Sequence, residues 1–271
     1  MERRGFLTTV SGLTANYIST PFVFGRSESE RTCSIPDRDT SSEIDSEELA
    51  RTHQSAFEER PFSVSIRTTI RRLAEDRTQV SKAITQEEAT VGPTHQFVSS
   101  YRVSGHVPYR NLMSIGLRGN EGIDRYYDTE RKYVRNHSDE EISTRQLRNR
   151  GLQRHQRECY TAWRDIRGLV RGSDWIATEQ NNETNRRWLG YEESPSSDSV
   201  GFQPTRVIGA ISSDDRFDSF RARFRRKVPD SNTENVDIDV LTCVIEFDDI
   251  GTATVTKPDW CPDGGKVTVD D

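Results

Sequence analysis

From Phe62 onward the chain alternates: Phe62, Val64, Ile66, Thr68 and Ile70 are separated by polar or charged neighbours. A period of two puts these side chains on one face of a strand and their neighbours on the other, which is the habit of an antiparallel sheet covered on one side. The same period returns late in the chain, in Phe220, Ala222, Phe224 and Val228, and again from Val236 to Phe247. In that last segment Val236, Ile238 and Val240 share one parity, while Leu241, Cys243, Ile245 and Phe247 share the other. A phase change of one residue predicts a β-bulge, which bends a large sheet. Further strands are predicted over 78–89, 95–103, 122–134, 175–180, 186–191, 205–211 and 252–256.

Two segments follow a helical period instead. Asp45 or Ser46 can cap the first, Glu48 sits where a capping box wants an acid, and Leu49, His53, Ala56 and Phe57 share a face. His53 reads there as a packed residue at the edge of that face rather than a ligand. The second helix is predicted over 159–171, with Trp163, Ile166, Leu169 and Val170 as its apolar stripe and Gly172 as its stop. Together these give an α+β fold, with one domain over 46–262 and a polar tail over 263–271. Within it, 137–157 carries Arg145, Arg148, Arg150, Arg154 and Arg157 and reads as a polar insert or solvated helix.

The start of the chain reads as an address. Arg3-Arg4-Gly5-Phe6-Leu7 precedes an uncharged stretch over 8–25 and a polar run over 26–31, so 1–30 resembles a twin-arginine-type signal segment and implies the twin-arginine translocase as a partner. Residues 31–45 read as a polar tether. Asn16 and the threonines and serines weaken the apolar stretch as a permanent span, and no other stretch approaches the roughly 20 apolar residues that a span requires. The expected location is outside the cell or on its surface, with membrane contact only through the N-terminus if it is retained.

Four cysteines, Cys33, Cys159, Cys243 and Cys261, suit an oxidising compartment. An even count permits bridges in three connectivities, of which Cys243 with Cys261 fits best because both lie near the end of one β-region. No C-x-x-C pair or Cys/His spacing points to a metal. Asn136-His137-Ser138 and Asn182-Glu183-Thr184 match the glycosylation acceptor pattern.

Charge narrows the partners. With 44 acidic residues against 38 basic ones the net charge is -6, which argues against general binding to nucleic acid or anionic lipid. Five of the basic residues are lysines, leaving 33 arginines, and this balance resembles that of proteins from halophilic archaea.

The ending Ile245-Glu246-Phe247-Asp248-Asp249-Ile250-Gly251-Thr252-Ala253-Thr254-Val255-Thr256-Lys257-Pro258-Asp259-Trp260, after a helix, many strands and a late helix, resembles a family of haloarchaeal exported lipoproteins. Those in turn are similar to the LolA/LppX-type lipoprotein and lipid carriers. The resemblance implies a strongly curved antiparallel sheet, a half-barrel, with the N-terminal and late helices packed on it around an apolar cavity. The chain departs from it in having no lipobox before Cys33 and in carrying 137–157.

No catalytic constellation stands out. The histidines are scattered, no serine sits in a nucleophile elbow, and the glycines at 116, 119 and 122 do not form a phosphate loop. The expectation is a non-enzymatic exported envelope protein without a cofactor. One form of it binds an apolar ligand such as a lipid in the concave face, lined by Phe62, Val64, Ile66, Phe97, Tyr101, Trp188, Phe220 and Phe224. The alternative is an envelope structural or interaction protein in which the same side chains fill a packed interior.

Overall fold

The alternation that begins at Phe62 is met by a partner on each side. Strand β1 (Phe62–Leu73) pairs antiparallel with β11 (Val236–Asp248) along almost its whole length and with β2 (Gln79–Val91) at the other edge. The computed structural model describes residues 46–93, 96–106, 122–138, 141–147, 160–161, 176–181, 186–191, 203–229 and 236–262. The first and last strands thus meet in the middle of the sheet. From β2 the chain meanders outward through β3 (Phe97–Ser104), β4 (Ile123–Tyr127), β5 (Arg131–Asn136) and β6 (Ile142–Gln146). On the other side β7 (Ile176–Asn181), β8 (Arg186–Tyr191), β9 (Gln203–Ile211) and β10 (Phe217–Pro229) step back in to β11. The result is one eleven-stranded antiparallel sheet ordered β6-β5-β4-β3-β2-β1-β11-β10-β9-β8-β7, which is not closed.

Short polar side chains make the turns. Between β1 and β2, Asp76 Oδ1 accepts from the Thr78 amide at 2.9 Å while Arg77 takes a positive φ of 68°. Asp128 does the same between β4 and β5, accepting from the amides of Glu130 and Arg131. That turn divides 122–134, expected as one strand, into a hairpin. Residues 252–256, also expected as a strand, join no sheet. Part of the polar insert over 137–157 is the edge strand β6, whose Ile142 and Arg145 are exposed.

The bulge expected within β11 is absent, since its register runs unbroken against both β1 and β10. What changes at Leu241 is which face is apolar. Val236, Ile238 and Val240 stand on the outer face, while the inner position beside them holds the fully buried Asp239, gripped by Arg72 at 2.9 Å and Arg226 at 3.3 Å. The irregularities lie elsewhere, between β10 and β9 at Phe217/Ser219 and Arg223/Phe224 and between β7 and β8 at Ala177/Glu179.

Helix α1 (Ser46–Ala56) covers the inner face at the centre. Glu47 and Glu48 in its first turn suit the positive end of the helix, and Pro61 follows its close. Leu49, Ala50, His53 and, just beyond the helix, Phe57 are buried. Phe57 meets Phe62 and Phe247, each with ring centroids 4.8 Å away, and each such buried aromatic contributes roughly 1.5–3 kcal/mol through the area it removes from water. Of the second expected helix, only Tyr160, which is helical, and Thr161 are described. The twin-arginine-type segment with Arg3 and Arg4, the tether, Cys33, Cys159, Asn182 and the tail over 263–271 lie outside the described residues.

Candidate functional site

Strand parity decides what faces inward. On β1, β11, β10 and β9 most inward positions outside the Arg72, Asp239 and Arg226 group are apolar: Val64, Ile66 and Ile70, Leu241, Cys243 and Ile245, Phe220, Ala222 and Phe224, and Val207. Moving across β2 to β5, the same face turns polar. Glu87 on β2 pairs with Tyr101 on β3, Ser99 with Arg125 on β4, and Tyr127 with Lys132 on β5.

Glu87 is fully buried and Arg125 nearly so. Their charged atoms are 3.4 Å apart, and the buried hydroxyl of Tyr160 donates to the same carboxylate oxygen, Glu87 Oε1, at 2.7 Å. The second oxygen, Oε2, has no hydrogen-bond partner among the described residues. Burial pushes the Glu87 carboxyl above its usual range, against the opposing pull of Arg125, Tyr160 and the nearby Ser99. Burial also raises the phenols of Tyr101 and Tyr160, with the charge of Glu87 adding to it, and it lifts Tyr127 to about 12.

Lys132 completes the group. Its Nζ stands 5.3 Å from the centre of the Tyr127 ring, and burial, with Arg125 and Arg145 beside it, pushes its ammonium down to about 8. Among the described residues no carboxylate pairs with Lys132. Arg145 and Ser143, inward positions on β6, are exposed, so this polar end of the face opens to solvent at the sheet edge.

The expected lining residues can now be placed. Phe62, Val64, Ile66, Phe97, Tyr101, Phe220 and Phe224 all lie on the inner face and are at most 3% exposed. They fall into two groups. Phe62, Val64, Ile66, Phe220 and Phe224 belong to the apolar centre under α1, while Phe97 and Tyr101 border the polar cluster, Phe97 stacking on Tyr127 at 4.0 Å. Trp188 pairs with Ala210 in β8, and its side chain lies outside the described part. A polar recess of about 380 Å³ lies on the other, outer face, lined by Ser63, Ser65, Glu88, Thr90, Ser100 and Asp248 among others.

Cys243 and Cys261 are not bridged to each other. Cys243 is inward on β11, whereas Cys261 packs against Tyr126 and Tyr133 on the outer face, so the sheet stands between them. Burial pushes the Cys261 thiol up to about 11. Asn136, the first glycosylation candidate, is the half-buried last residue of β5. His53 is at the centre of the core and not at an edge, because both ring nitrogens are used there.

Sequence reasoning missed the Glu87, Arg125 and Lys132 cluster. The signal was present: Glu87 falls in phase with Ala83, Thr85, Ala89 and Val91, and Arg125 in phase with Tyr127, so each charge occupies an inward position.

No protein-family model matches the chain, and no curated protein matches it. Among solved structures it is similar to a DUF1329 family protein from Desulfovibrio piger, at 11% identity and a TM-score of 0.23, over 79% of this chain and 94% of that one. It is also similar to an outer membrane lipoprotein-sorting protein domain from Vibrio parahaemolyticus, at 7% identity and a TM-score of 0.25, over 79% and 96% of the two chains.

Proposed function

We propose that this is an exported envelope protein of a halophilic archaeon whose inner sheet face binds an amphiphile. The apolar chain lies toward Val64, Ile66, Phe220 and Phe224, and an anionic head sits at Lys132 between Arg125 and Arg145. The reading is non-catalytic. The observation that carries it is Lys132, a half-buried cation beside two arginines, with no carboxylate against it among the described residues and with an open sheet edge next to it. Arg125 already has Glu87 as its counter-charge, so Lys132 is the cation that gains nothing in stability from where it stands, and the arrangement favours an anion arriving from outside.

A second reading is an envelope scaffold with a packed interior. It is favoured by the aromatic contacts of His53 and Phe57 with Phe62, Phe217 and Phe247, which fill the centre under α1.

The two separate in a binding titration of the full chain with a long-chain alkyl phosphate and the alcohol of equal chain length. The amphiphile reading expects the phosphate to bind at least about tenfold more tightly, a difference of ~1.4 kcal/mol, and expects Lys132→Gln to abolish the preference. Absence of binding by either compound favours the scaffold.

A further inference from the structure

The outer face carries a second concentration of charge. On β10, Arg221, Arg223 and Arg225 stand at alternate outward positions and all three are exposed. Across the ladder Arg223 pairs with Arg206 on β9, and through β11 the outward positions of β1 beside them hold Arg67 and Arg71. With neighbouring strands ~4.8 Å apart and alternate residues ~6.7 Å apart, six guanidinium groups occupy a field roughly 14 Å on a side. Among the described residues at paired outward positions on these four strands, Glu246 and Asp248, at one end of β11, are the carboxylates. The residues between the arginines are Thr69, Thr242, Val240, Val244 and Ile208, which are neutral and short. No ion pair or hydrogen bond engages the side chains of Arg221, Arg223 and Arg225 among the described residues. Crowding by surrounding side chains, then the charges of Arg225, Arg71, Arg206 and Arg221, hold the Arg223 guanidinium below its ordinary value.

A positive field of this kind on a chain of net charge -6 is a local feature that the whole-chain balance conceals. Mutual repulsion among Arg221, Arg223 and Arg225 makes it costly unless an anion meets it. We infer that the outer face of β1, β11, β10 and β9 docks on an anionic bilayer surface, its arginines engaging lipid phosphate groups.

Three features favour that occupant. The field is presented by a sheet face, so several guanidinium groups meet a flat array together, whereas a groove would track a single strand. Arginine matches phosphate with paired donors, and contacts at hydrogen-bond distance persist where salt screens longer-range attraction. The chemistry is also continuous with a ligand taken from a bilayer, although the inference stands on residues separate from Lys132 and does not depend on the inner site.

The test is co-sedimentation of the full chain with vesicles of equal parts phosphatidylglycerol and phosphatidylcholine, against phosphatidylcholine alone. We expect partition onto the anionic vesicles only, weakening as salt rises. Replacing Arg221, Arg223 and Arg225 together with glutamine lowers that partition roughly a hundredfold, from the typical contribution of a basic residue near an anionic surface. The matching triple lysine variant, which keeps the charge and the exposure, retains most of it, so a loss through misfolding is distinguished from a loss of charge. Lys132→Gln leaves vesicle partition unchanged even if it abolishes amphiphile binding. The inference is overturned if the wild-type chain ignores the anionic vesicles, if the glutamine variant binds them as well as wild type, or if an oligonucleotide of equal charge binds this face more tightly.

Discussion

His53 Nδ1 accepts the backbone N–H of Phe217 at 3.1 Å, which leaves Nε2 to carry the proton and donate it to the Thr161 carbonyl at 2.9 Å. One neutral imidazole therefore ties α1 to the start of β10 and to the segment after Tyr160. Burial pushes its pKa down from 6.5 to about 4. The unfolded chain takes up a proton as pH falls below the ordinary value, and the folded chain does not until about 4. Stability from this group is thus fully present above pH ~6.5 and is lost progressively as pH falls toward ~4, about 3 kcal/mol in all. Urea unfolding of wild type and His53→Gln across that window should show the two curves converging at low pH. Parallel curves would mean that His53 titrates normally.

Phe217 lies with its ring over Gly209, on the neighbouring strand. A Cβ at that position would stand 2.2 Å from ring Cε1. Gly209→Ala should therefore cost about 1–3 kcal/mol, the range for overpacking a core, and Phe217→Leu should recover part of that loss in the double variant. Thermal unfolding of the two single variants and the double variant measures the coupling. Additive losses would show that the ring does not depend on the glycine.

For the buried pair, Glu87→Gln leaves the Arg125 guanidinium, which stays charged, without its counter-charge and should destabilise by about 3–5 kcal/mol, while Arg125→Met should cost less. The asymmetry follows from the Glu87 carboxyl, which burial already pushes toward its neutral form. Chemical denaturation checks it, and equal losses would contradict the direction given for Glu87.

Much of the fold was legible in the chain because it follows from period two. β8, β10 and β11 begin at the expected residues, and α1 begins at Ser46. What was not legible depends on partners distant in sequence. The parity change at Leu241 suggested a bulge, but Arg72 and Arg226 satisfy Asp239 from both neighbouring strands and let the register continue. The hairpin inside 122–134 was hidden because Tyr126, Tyr127 and Tyr133 keep both strands apolar, and only Asp128 marks the turn. The Cys243–Cys261 pairing follows from nearness along the chain, yet proximity in sequence says nothing about which side of a sheet the second residue will reach.

That last correction has a direct check. Alkylation of the denatured chain without reductant, followed by peptide mapping, should give modified peptides at Cys243 and Cys261 and no cross-link between them. A peptide joining the two would contradict their placement on opposite faces.

The inner-face ligand is tested most directly by native mass spectrometry, with solvent extraction, on the full chain purified from its own host. The account predicts a co-purifying anionic amphiphile near one per chain, lost from Lys132→Gln. A wild-type chain that is folded and empty, and that stays empty when offered the alkyl phosphate, would contradict it.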